Sequence, residues 1–77
     1  MVRTLVPPPT VQLSTAVDER CDGCGAAARI QVTLAASGNL TFCGHHANRY
    51  ARPLLGLATL VVVESGFDWL GLALLDR

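Results

Sequence analysis

The chain has 77 residues and formal net charge zero, with 51% apolar and 16% charged residues. That length suits one domain with a modest core, and that composition excludes a disordered chain. All six basic residues are arginine and are balanced by six acids, which argues against a protein that coats phosphate backbones by charge alone.

Residues 1–12 read as a disordered or extended lead, with Pro7, Pro8 and Pro9 favouring a polyproline-like stretch. Residues 13–77 read as a single domain. Thr15 with Asp18 three positions on fits a weak helix-start signal. One turn there would carry Leu13 and Val17 towards the core and lead into Cys21.

Cys21-Asp-Gly-Cys24-Gly25 has the form of a metal-binding knuckle, with Gly25 free to take the positive φ that a tight turn needs. Asp22 inside it reads as a turn residue bonding local amides. From Arg29 to Leu34 polar and apolar residues alternate, placing Ile30, Val32 and Leu34 on one face of a strand. Ser37-Gly38-Asn39 is turn chemistry, and Leu40 to Phe42 resumes the alternation. The stretch from Arg29 to Phe42 is thus a β-hairpin ending at Cys43.

Gly44 to Ala51 is helix-compatible, with Tyr50 four residues after His46 on the same face. Pro53 predicts an end or kink near Ala51 or Arg52, and Gly56 a stop. Ala58 to Val63 is a buried strand. Ser65-Gly66 is a turn, Phe67 and Trp69 suggest a second short strand, and Leu70 to Leu75 an apolar tail. Leu54 to Leu75 is long enough to span a bilayer but carries Glu64 and Asp68. A central carboxylate costs about 2.5–3.5 kcal/mol on insertion, so no membrane span is expected.

The chemistry lies in the spacing Cys21-x2-Cys24, eighteen residues, Cys43-x2-His46. Structural zinc takes thiolate and imidazole ligands tetrahedrally, and two intervening residues let one turn aim both donors at one ion. A helix opening at Cys43 puts His46 on the same face and turns His45 away, so His46 is favoured over His45. Four protein ligands leave no open position for water, so the expected role is one structural Zn2+ and not catalysis. Three cysteines, an odd number, and prolines that interrupt any apolar leader argue for a reducing, cytoplasmic setting rather than a disulfide scaffold.

The run Cys-Asp-Gly-Cys-Gly-Ala-Ala-Ala-Arg, then Leu34, Ser37-Gly38, Leu40 and Phe42-Cys-Gly-His-His-Ala47, resembles a family of small uncharacterised zinc-ribbon-like proteins of actinobacteria and their phages. The resemblance covers about residues 20–52, the zinc module. It implies metal ligands at Cys21, Cys24, Cys43 and one of the adjacent histidines, and supplies no function. The expected fold is a small α+β zinc-bound domain resembling a treble clef or zinc ribbon: knuckle, hairpin and short helix, with one or two extra strands in an apolar extension over 54–77.

The sequence is compatible with two functions. A protein-interaction module, docking a protein partner or a second copy, is favoured by the apolar C-terminal stretch with Phe67 and Trp69. Association with nucleic acid or a ribonucleoprotein is the alternative, resting on Arg49 and Arg52 flanking Tyr50, with Arg29 nearby.

Overall fold

The computed structural model describes residues 8–36 and 38–75, so Ser37 of the expected turn and most of the expected lead lie outside the described residues. The first element is strand β1, Thr10–Ser14. It takes in the last residues of the expected lead, and no helical turn follows at Thr15. Leu13, expected to face inwards, is 72% exposed, whereas Val17 is buried. The reason is that Thr10–Ser14 pairs in parallel with Leu60–Glu64, far along the chain.

Strands β2, Ile30–Leu34, and β3, Asn39–Phe42, form the expected antiparallel hairpin, with Ile30 opposite Phe42 and Val32 opposite Leu40. Strand β4, Ala58–Glu64, then inserts beside β2 in antiparallel register and accepts β1 on its other side in parallel. The sheet order is β1-β4-β2-β3. The two central strands supply one fully buried face, with Ile30 opposite Val63 and Val32 opposite Val61. A centrally placed strand can be nearly all apolar, which explains the run Leu60-Val-Val-Val63.

Helices cover that face. Helix α1 is Gly44–Arg49 and helix α2 is Ala51–Leu57, joined at Tyr50, whose φ of −102° and ψ of 16° break the helical path. The break falls just before the expected one. Pro53 has no N–H to give Arg49, and its ring crowds that carbonyl, so α1 cannot run through it. Breaking at Tyr50 leaves Pro53 in the first turn of α2, where no donor is required. Helix α2 runs one residue past Gly56, to Leu57.

Beyond the Ser65-Gly66 turn there is no second strand. Phe67 to Trp69 is irregular, and the apolar tail becomes helix α3, Leu70–Leu75. The Trp69 indole is buried and its Nε1–H donates to the Ala47 carbonyl at 2.9 Å. The Leu70 N–H donates to the Asn48 side-chain oxygen at 2.7 Å. Two consecutive residues of α1 therefore hold the start of α3. No helix among the described residues is long and apolar enough to cross a membrane.

Candidate metal centre

The first donor pair sits on a closed turn. The Cys21 N–H donates to the Ala26 carbonyl at 2.7 Å, and the Gly25 N–H returns to the Cys21 carbonyl at 2.8 Å. Gly25 closes this loop at φ 80°, a conformation that a side chain disfavours. The Gly23 N–H points back at the Cys21 sulfur, 3.3 Å away. The knuckle is then latched to the hairpin. The Asp22 N–H donates to the Thr41 carbonyl at 2.8 Å, and the Thr41 N–H donates to the Asp22 carboxylate at 2.9 Å. The buried Thr41 hydroxyl donates to the Arg20 carbonyl.

The sequence reading gave Asp22 only local amides and overlooked Thr41. Nothing in the local pattern signals a pairing across nineteen residues. Replacing Thr41 with valine strands the Arg20 carbonyl while keeping the side-chain shape. The expected loss is about 1–2 kcal/mol of stability, read as a lower denaturant midpoint of metal-loaded protein. An unchanged midpoint would show that the latch carries no stability.

The second pair comes from the end of β3. Cys43 is the N-cap of α1 with extended backbone, and its carbonyl accepts from the Ala47 N–H at 2.8 Å. His46, three residues on, turns back over Cys43 with its ring stacked on Tyr50 at 5.8 Å and an interplanar angle of 9°. The hairpin brings the two pairs together. Donor atoms of Cys21, Cys24, Cys43 and His46 all lie within 4.8 Å of one another. His45 is outside this group and exposed.

The separations suit a metal. His46 Nδ1 is 3.4 Å from both the Cys21 and Cys43 sulfurs, and the Cys24 and Cys43 sulfurs are 3.8 Å apart. A tetrahedron with bonds of about 2.3 Å to sulfur and about 2.0–2.1 Å to nitrogen has S–S edges of about 3.8 Å and S–N edges of about 3.6 Å. A disulfide needs about 2.05 Å, and all three cysteines are free. The four side chains could therefore hold one metal ion.

Electrostatics points the same way. Burial works against ionisation of Cys21, but backbone N–H groups at Cys43, Gly23 and Cys24, together with the Cys24 thiol, outweigh it and bring its pKa down to about 6. The Ala26 amide favours the Cys24 thiolate, yet desolvation and the neighbouring Cys21 and Cys43 sulfurs leave its pKa raised. Negative charge thus collects on Cys21 first and resists a second thiolate beside it. A central cation would remove that conflict between Cys21 and Cys24.

The expected partner-binding residues divide. Arg49, Tyr50 and Arg52 lie exposed at the elbow between α1 and α2. Trp69 is 1% exposed and faces the core, so its ring is not available to a partner, and Phe67 is half-buried against the same core. Arg29 forms an ion pair with Glu64 at the end of β4 and is committed there.

With this geometry in place, the sequence matches a domain of unknown function, DUF7455, over residues 14–68. The chain belongs to the DUF7455 family. The DUF7455 match includes all four donors and is longer than the stretch of 20–52 expected from the motif, because it begins at Ser14 and runs through β4. It stops short of α3. Comparison with curated proteins gives no match. Comparison with solved structures gives none either.

Proposed function

We propose that this chain is a structural zinc module that acts by protein–protein interaction. The observation that carries the metal assignment is the convergence of one imidazole and three thiol donors within 4.8 Å of one another, from two turns joined by a hairpin. Sulfur-rich tetrahedral sites favour zinc or iron, and a single half-buried imidazole beside three thiolates suits zinc. The arrangement of knuckle, hairpin and ligand-bearing helix resembles a treble clef, with β1 and β4 completing the sheet. All four positions are taken by protein, so no site is left for a reacting water and the module is not an enzyme. Its role is to hold surfaces in place, among them the exposed Leu57 and Leu70 on α2 and α3.

Elemental mass spectrometry on protein purified without added metal tests this. One zinc per chain is expected, and Cys43→Ser should lose it. Stoichiometric iron, or full metal content in Cys43→Ser, would overturn the assignment.

A second reading, nucleic-acid association, draws on the elbow. Arg49 and Arg52 make no ion pair among the described residues, and neither α1 nor α2 carries an acid. Binding of that kind should weaken steeply with salt, whereas apolar docking should not.

A further inference from the structure

The sheet has two edges, and they are treated differently. At β3 the outward-facing groups of Thr41 are occupied, because Asp22 takes both its N–H and its carbonyl. At β1 no element among the described residues lies beyond the strand. β1 reads Thr-Val-Gln-Leu-Ser, with no charge, no internal proline and no bulge. Those are the devices by which exposed edges normally avoid pairing.

Parity tells which groups are open. The Ser14 carbonyl accepts from the Ser65 N–H, so Ser14 faces β4. In a parallel ladder alternate residues face opposite neighbours, so Gln12 and Thr10 face β4 as well. The N–H and C=O groups of Val11 and Leu13 therefore point outwards. By register, Val11 lies beside Val61 and Leu13 beside Val63, so both side chains stand on the apolar, helix-covered face of the sheet. The helical layer does not reach the edge. Val11 is partly buried against the core while Leu13 remains 72% exposed.

We infer that the occupant of this edge is β1 of a second copy of the same chain. The segment is self-complementary about Gln12 in an antiparallel, two-fold arrangement. Val11 then faces Leu13 of the second copy, and the reverse pair repeats it. Both are residues whose backbone groups point outwards, so each pair exchanges two hydrogen bonds, four in all. Thr10 faces Ser14 and Gln12 faces Gln12 on the polar side, while the apolar pairs fall together on the helix side. No like charges meet. Pro9, the next outward position, has no N–H, so the ladder ends there. The product is one continuous eight-stranded sheet with Leu13 of each copy roofed by the other. This goes beyond the metal assignment and uses backbone groups of β1 that neither the elbow nor α3 supplies.

The test is sedimentation of the full, metal-loaded chain across a concentration series, with ellipticity and metal content measured on the same samples. A reversible monomer–dimer equilibrium is expected. Leu13→Lys should raise its dissociation constant at least about tenfold, since both symmetric Val11–Leu13 pairs are lost. Amide exchange gives an independent reading that needs no substitution. The N–H groups of Val11 and Leu13 should become more protected as concentration rises, while those of Gln12 and Ser14 stay unchanged. A protein that remains monomeric, a dimer indifferent to Leu13→Lys, or protection at Val11 and Leu13 that ignores concentration would each overturn the inference. A folded, metal-loaded monomer sinks only the dimer. A folded dimer without metal sinks only the zinc assignment.

Discussion

Stripping the metal from metal-loaded protein is expected to collapse the region from Cys21 to Val63, read as loss of far-ultraviolet ellipticity on chelation and its return when zinc is added back. The expectation follows from comparing two magnitudes. Structural zinc contributes on the order of 10–16 kcal/mol in small finger peptides. A whole small domain is stable by only about 5–15 kcal/mol. Here the core comprises few large side chains, with Trp69, Ile30, Val32, Val61 and Val63 the largest that are fully buried. The knuckle has little else to hold it. Residues 22–27 are exposed, and its attachments are the Cys21 side chain and the Asp22–Thr41 latch. Without a cation the site also holds a conflict, because desolvation and the neighbouring sulfurs push the Cys24 thiol's pKa up while Cys21 favours its thiolate.

Acid should act in the same direction. The Cys21 pKa is lowered on folding from 9.0 to about 6. A thiolate favoured by the fold contributes stability above the unfolded value, and that contribution is lost as pH falls through about 6. Protons also compete directly with metal for every sulfur. Protein shown to have lost its metal yet keeping its full spectrum would sink this expectation.

The features legible in the sequence were local ones. The knuckle, the hairpin alternation and the three-residue step from Cys43 to His46 each depend on neighbours within a few positions. Each stands in the structure at or within one residue of its expected place. The illegible features depend on partners far away. Thr10–Ser14 has strand-forming residues but no local turn to pair it. Its register is set by Leu60–Glu64, fifty residues on. The Thr15–Asp18 signal lost to the same pairing, since Val17 is drawn towards Glu64, whose carboxylate accepts its N–H. At the C-terminus the Phe67-Asp-Trp69 alternation looks like a strand. An irregular segment that drops one aromatic ring into a core has the same pattern. The cap that starts α3 comes from Asn48, which no capping rule within four residues of Leu70 could find.

That C-terminal clamp yields the other large effect. Trp69→Ala should destabilise the metal-loaded protein by about 3–5 kcal/mol, the range for emptying a buried aromatic site. Part of that loss is the Ala47 carbonyl, left in the interior without the indole N–H that now reaches it. Trp69→Phe keeps most of the apolar surface but not the donor, so it should cost less, about 1–2 kcal/mol. Gly71 supplies a test that leaves the indole in place. A Cβ there would stand 2.4 Å from Trp69 Cζ2, far inside contact distance, so Gly71→Ala must displace either the ring or α3. The expected cost is about 1–3 kcal/mol. Urea unfolding gives all three values, and in Gly71→Ala the chain's single tryptophan reports its own displacement as a red-shifted emission. The ring hangs from the residue next to His46, so these variants should also release metal to a competing chelator more readily than the parent. If Trp69→Ala unfolds at the parent's midpoint and holds its metal as tightly, α3 is only an appendage. If both fall together, the apolar extension and the metal centre are one cooperative unit, joined through Ala47 and Asn48.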